Sequence, residues 1–240
     1  MSKIQIEGHP SLIIVYSEEC KGEVILGGYD GGYSRLAYKS RPNLLGGNPL
    51  RQDKENGPRD ILIRELTEEL EINPCDLNSE WAPKEDILEI RREIIKNTEP
   101  YLDFLYQAIP LEGAVREKIT AIYSIFISKV PKRTADLIRL HFQNGKKMTT
   151  EGFIGIYHIK SLAIAGEYST ANATAKILSE YFKIDIPSLD AIKITKLGAP
   201  REKYSDYYKD YIYVSAFLKL SQYMFLVLLL IDCFYYSFYL

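Results

Sequence analysis

The chain has 240 residues, 46% hydrophobic and 26% charged, with a net charge of −2. That length suffices for one large domain with a substantial core, and basic residues dispersed among acidic ones exclude a nucleic-acid-type polyanion surface. Three widely separated cysteines, Cys20, Cys75 and Cys233, exclude a disulfide framework and a CxxC metal site.

No apolar run develops before Glu7 and His9, so no signal peptide is expected and the cytoplasm is the default compartment. Residues 11–16 and 23–26 read as two short strands joined by a polar turn over residues 17–22. Gly27-Gly28-Tyr29-Asp30-Gly31-Gly32 lacks the Gly-Lys-Ser/Thr ending of a phosphate loop and reads as a flexible turn leaving a strand. Gly46-Gly47 and Pro49 mark another break in regular structure. Gly57-Pro58 then opens a helix to about Leu70, because proline's missing N–H is unneeded in the first turn. Ile61, Leu62 and Leu66, with Ile63 and Leu70, form its apolar stripe, and Asn73-Pro74 stops it.

A second helical pattern covers residues 84–97, and a further helix is expected over about 99–108. Residues 119–130, rich in Ile, Tyr and Phe, give the strongest strand signal. A helix over 135–143 ends at Asn144-Gly145, and residues 152–159 read as a strand followed by a short helix over 159–163. Residues 170–183 read as an amphipathic helix capped by Ser169 or Thr170. The irregular alternation points to a mixed α/β domain with helices packed on a sheet.

After about Lys203 the composition shifts, dividing the chain into a domain over 1–203 and a Tyr-rich hydrophobic C-terminal extension over 204–240. Its apolar core, Tyr223 to Ile231, is followed by Asp232. Three readings stay open: a membrane anchor, a greasy helix buried in the domain or in a homodimer, or a non-native tail from a shifted reading frame. Asp232 weighs against the anchor, since an aspartate in hydrocarbon costs about 2.5–3.5 kcal/mol.

The chemistry concentrates in Arg64-Glu65-Leu66-Thr67-Glu68-Glu69-Leu70. On a helix, Glu65, Glu68 and Glu69 share one face, where like charges repel by roughly 0.2–0.5 kcal/mol per pair. A hard divalent cation gives such a cluster its reason, since Mg²⁺ prefers carboxylate oxygens plus substrate phosphates. Arg64 can pair with Glu68 one turn on and hold its rotamer, while Gly46 and Gly47 let backbone approach a phosphate closely.

These residues resemble the signature of the Nudix hydrolases, in which a glycine and a glutamate precede Arg-Glu-aliphatic-x-Glu-Glu-x-Gly-aliphatic. Leu44-Leu45-Gly46-Gly47 is similar to the family's Leu-Pro-Gly-Gly entry, and Gly57-Pro58 to its Thr/Ser-Pro helix start. The helix half matches at every position but one, Glu71 standing where the family has glycine. Counting back from Arg64, the family's first glutamate falls on Asn56, with Glu55 beside it.

The resemblance implies an α/β/α sandwich with a mixed sheet, a helical insert at about 73–118, and Mg²⁺- or Mn²⁺-dependent hydrolysis of a phosphoanhydride in a nucleoside diphosphate-linked metabolite. It places Glu68 and Glu69 as metal ligands, Glu65 as a further ligand or a base for water, and Gly46 and Gly47 against the substrate. Glu151 is the candidate for a catalytic glutamate on a late loop. Tyr29, Tyr33 and Tyr38 could stack on a base. His9, His141 and His158 show no ligand spacing. The expected partner is a small nucleotide-type molecule, with no nucleic acid; a homodimer and membrane contact through 223–240 stay open. The alternative is a Nudix-like ligand-sensing or protein-interaction module without catalysis.

Overall fold

A computed structural model describes residues 4–31, 40–50, 57–71, 80–109, 119–166, 170–188 and 191–213. The elements begin with β1 (Ile4–Ile6), β2 (Ser11–Tyr16), β3 (Glu23–Tyr29), β4 (Leu45–Gly47), α1 (Pro58–Glu69) and α2 (Lys84–Lys96). Next come β5 (Thr98–Ile109), β6 (Ile119–Lys129), α3 (Lys132–Gln143), β7 (Gly152–His158) and α4 (Ile159–Ile164). The last are α5 (Asn172–Phe182), β8 (Ala191–Gly198), α6 (Tyr204–Tyr207) and β9 (Tyr211–Tyr213).

Strand β2 is apolar at successive positions, so both of its faces need cover. Ile13 and Val15 pack with Leu62 and Leu66 of α1, Ile87 and Ile90 of α2, and Ile138 of α3. Leu12 and Ile14 point the other way, to Ile177 and Leu178 of α5 and to Ile159 and Leu162 of α4. The fold is therefore mixed α/β, an open sheet with helices on both faces.

The sheet runs β7-β3-β2-β6-β5-β8, with β2 and β6 parallel and the other pairs antiparallel. Its irregularity lies at β2. Strand β3 meets β2 at Val15 and Ile25, then continues along β7, while β4 pairs with β2 over residues 11–13. The sheet forks there, and β4 lies in the fork.

Several sequence expectations change. Gly27 and Gly28 belong to β3 rather than to a turn leaving it. A Cβ on Gly27 would sit 2.6 Å from the Leu45 side chain, and one on Gly28 would sit 2.7 Å from the Arg41 carbonyl, so close packing fixes glycine here. The helix expected over 99–108 is the internal strand β5, and among the described residues of the expected helical insert only α2 is helical. Pro100 suits a helix start as well as a strand edge; pairing with β6 and β8 decides, and a register shift next to Pro100 absorbs the proline. Helix α3 begins earlier than expected, directly after Pro131. Helix α5 is preceded by Ala171, with no side-chain cap bond, in place of the expected Thr170 cap; Ser169 lies outside the described residues. Gly46 and Gly47 belong to strand β4 rather than to a break in regular structure, and β1, β8 and β9 correspond to no expected element.

Residues 204–213, compositionally part of the Tyr-rich tail, pack against the sheet. Tyr204 and Tyr207 join Ile6, Ile61, Leu105 and Ile122 in a third apolar cluster, and β9 pairs in parallel with β1. A Cβ on Gly57 would stand 1.9 Å from the Glu202 carbonyl, so this segment also abuts the start of α1. The apolar stretch Tyr223 to Ile231 lies outside the described residues. No described helix is long and apolar enough to cross a membrane.

A buried polar chain ties this segment down. Tyr207 donates to Asp103 (2.6 Å), Ser124 donates to the other Asp103 oxygen (2.7 Å), and His9 Nε2 stands 2.8 Å from Ser124 Oγ. Since Ser124 uses its proton on Asp103, His9 donates to Ser124. Burial, aided by Arg201, lowers the His9 pKa from 6.5 to about 3, while burial raises Asp103 to about 6 against its hydrogen bonds. Below about pH 6.5 the unfolded chain takes up a proton that native His9 refuses, so stability is lost as pH falls towards 3. Asp103 works oppositely, native protonation favouring the fold as pH falls from about 6. The His9 displacement is the larger of these two, so this buried chain weakens on acidification, opposite in sense to the buried Glu69. A His9→Gln variant, which keeps a donor for Ser124, should gain melting temperature relative to the parent as pH falls from 7 to 4. A constant or shrinking difference would remove His9 from this role.

Candidate functional site

Helix α1 delivers its acidic residues to the fork. With Leu62, Leu66 and Leu70 facing the sheet, the turn containing Glu65, Glu68 and Glu69 lies along β4. The three carboxylates end in different environments. Glu68 is exposed, Glu65 is half-buried, and Glu69 is buried at 7% exposure.

Two glycines make that burial possible. Gly46 N–H donates to Glu69 Oε2 at 3.2 Å. Gly46 has φ +113°, and a Cβ there would lie 2.2 Å from the Ser11 carbonyl, so both backbone conformation and contact demand glycine. A Cβ on Gly47 would fall 2.5 Å from the Glu65 carboxyl carbon. The pair thus forms a socket, one residue donating a hydrogen bond and the next leaving room for a carboxylate.

Arg64 holds the outer two glutamates. Its guanidinium donates to Glu65 Oε1 (2.7 Å), to Glu68 Oε2 (2.9 Å) and to the Asn48 carbonyl (2.8 Å). The expected Arg64–Glu68 pair is present, and the same side chain also anchors the residue after the glycine pair. Opposite the helix, Glu151 stands at the entry to β7, its amide donating to buried Thr149 at 3.2 Å.

Four carboxylates therefore share this corner with the Arg64 guanidinium. The Glu69 pKa is raised well above the ordinary value, first by burial, then by Glu151, with Glu65 and Glu68 adding to it against the Gly46 hydrogen bond. Glu151 keeps contact with solvent, yet partial desolvation, then Glu65 and Glu68, raise its pKa as well. Hard oxygen donors with surplus negative charge suit Mg²⁺ or Mn²⁺. Among the described residues no three His, Cys, Asp or Glu side chains form a preformed metal cage, and Arg64 occupies Glu65 and Glu68.

The fork brings together Gly46, Gly47, Arg64, Glu65, Glu68, Glu69 and Glu151. Asn56 and Glu55 lie outside the described residues, as do Tyr33 and Tyr38. Tyr29 lines the gap between Gly27–Gly28 and Glu69. Glu71 is exposed just past the helix end. The histidines serve elsewhere: His9 in the buried chain, His141 at 2.8 Å from Asp86, and His158 accepting from Lys160 N–H at the start of α4. Sequence reading missed Asn48, which acts through its backbone carbonyl, and Thr149, whose hydroxyl accepts from the Glu151 amide two residues on. No protein-family model matches the chain, and no curated protein matches it.

Gly46→Ala should destabilise the protein by roughly 2–4 kcal/mol in urea unfolding, from left-handed strain plus overlap with Ser11. Glu69→Gln should act in the opposite direction. Because the native Glu69 carboxyl holds its proton more tightly than the unfolded one, metal-free stability falls as pH rises above about 4.5. The glutamine removes that loss, so metal-free melting at pH 8 should rise by about 2–4 °C, the equivalent of roughly 1 kcal/mol. The difference should vanish near pH 4.

Proposed function

We propose that this chain is a Nudix-type hydrolase that cleaves a phosphoanhydride bond in a nucleoside diphosphate-linked metabolite with Mg²⁺ or Mn²⁺. The observation that carries this reading is the buried Glu69 carboxylate, seated on Gly46 N–H amid the like charges of Glu65, Glu68 and Glu151. A fold tolerates such repulsion where a cation relieves it.

Glu69, Glu65 and Glu68 would hold the metal, which supplies neutralisation of the phosphoanhydride oxygens and a more acidic bound water. Gly46 N–H fixes the orientation of Glu69. Arg64 restricts the rotamers of Glu65 and Glu68 and ties both to Asn48, so the helix and the glycine strand keep one geometry. Gly46 and Gly47 present backbone without side chains to the phosphates. Glu151 or Glu65 accepts the proton of the attacking water as its oxygen bonds to phosphorus, and the leaving phosphate departs with the bridging oxygen. The raised pKa of Glu151 suits it to that role, since a base works best near the operating pH.

The full chain should bind Mn²⁺ by calorimetry, with affinity rising and a proton released as pH increases from 5 to 8, because Glu69 must give up its proton to bind. With Mg²⁺ it should turn over at least one of a panel of nucleoside diphosphate sugars, ADP-ribose, dinucleoside polyphosphates and nucleoside triphosphates. Glu69→Gln should abolish metal binding, and Glu151→Gln should lower kcat by about 10²–10⁴ while leaving metal affinity within a few-fold. Absence of metal binding by the parent chain sinks the hydrolase reading. Metal binding without turnover would instead favour a ligand-sensing module on the same site.

A further inference from the structure

Four paired residues form one row across the sheet. Gly47 of β4 pairs with Ser11 of β2, Ser11 with Ser124 of β6, and Ser124 with Asp103 of β5. Residues paired across strands project to the same face of a sheet. Here that is the α1 face, since Ile13, two residues along from Ser11, packs with Leu62 and Leu66.

Both ends of the row carry bonded polar groups. At one end Ser124 donates to Asp103 and accepts from His9, within the buried chain that reaches Tyr207. At the other, the Glu65 carboxyl carbon lies 2.5 Å from where a Cβ on Gly47 would stand. Directly paired positions set Cβ atoms about 4.5–5.5 Å apart, so the Ser11 side chain lies beside the Glu65 carboxylate.

Ser11, between the two, differs from both. It is fully buried, and its hydroxyl has no hydrogen-bond partner among the described residues. A buried hydroxyl without a partner destabilises a fold, and alanine at the same position would carry no such penalty. Serine therefore improves on alanine here only in a state that supplies the hydroxyl with an acceptor.

We propose that Ser11 is a positioning residue of the carboxylate corner, its hydroxyl donating to the Glu65 carboxylate in the metal-bound protein. The inference rests on the proposed function for the cation. Without metal, the Arg64 guanidinium donates to both Glu65 and Glu68. When those two glutamates face a cation, the guanidinium stands close to a like charge, and a neutral donor orients Glu65 without opposing the metal. Ser11 offers that donor from the sheet side, where Gly47 leaves the space above β4 to the carboxylate.

The test compares the full-length parent with Ser11→Ala and Ser11→Cys, each with and without Mn²⁺. Without metal, Ser11→Ala should melt at or above the parent temperature, because the deleted hydroxyl has no bond to lose. With Mn²⁺, calorimetry should show affinity lowered by about 10–100-fold, the usual effect of removing a group that orients a metal-binding side chain. Cysteine keeps the shape of serine but donates weakly, so Ser11→Cys should behave like alanine and not like the parent. In a crystal of the Mn²⁺ complex, Ser11 Oγ should stand about 3 Å or less from a Glu65 oxygen. Unchanged Mn²⁺ affinity in Ser11→Ala, a lower metal-free melting temperature for that variant, or a water in place of Glu65 as the Ser11 partner would each overturn this role and leave the hydrolase reading standing. A parent chain that binds no Mn²⁺ removes both.

Discussion

The contact between the Glu69 carboxylate and the Gly46 amide determines how the rest of the site is arranged. A carboxylate at 7% exposure needs a donor, and here a backbone N–H supplies it from a strand that only glycine can build. That strand exists because β3 leaves β2 after a single paired position and lets β4 take its place. Helix, glycine pair and fork therefore depend on one another: without the fork there is no place for β4, and without β4 the carboxylate would be buried unpaired.

The same arrangement concentrates charge. Arg64 settles Glu65 and Glu68, but Glu69 and Glu151 face each other across the fork with raised proton affinity. A surface acidic stripe would disperse this repulsion into solvent at little cost. Here part of it is held inside, where the fold itself supplies one hydrogen bond to Glu69 and a hard cation would supply more. The glycine pair also borders a cleft lined by Leu12, Tyr106 and Tyr123 on the other face of the sheet.

Much of the framework was legible in the sequence because its signals are local. The apolar run of β2, the β-rich run of β6, the Pro58 helix start and the 3.6-residue stripe of α1 each follow from side-chain spacing alone. The helix expected over 99–108 gives way to a strand because Pro100 and a mixture of aromatic and aliphatic residues satisfy a helix start and a strand about equally; pairing on both edges, with β6 and with the distant β8, decides the matter. Gly27 and Gly28 were misread for the related reason that a glycine required by a neighbour's side chain looks, in sequence, like a glycine required by a turn. Tyr204 and Tyr207 resembled a greasy tail in composition, yet they fill a cluster with Ile6 and Ile122 and bond to Asp103 through the Tyr207 hydroxyl.

By itself the sequence determined the mixed α/β class and the acidic helix, since helical and strand periodicity are properties of short segments; the Gly46-Gly47 pair was its expected counterpart through the family resemblance. Only the tertiary structure decided that the three helix glutamates are unequal. Spacing places them on one face of α1, but burial depends on what faces the helix, and β4 covers Glu69 while leaving Glu68 in solvent. Glu151 joins them by the same kind of decision, through strand pairings that place β7 beside the fork and that no local pattern encodes.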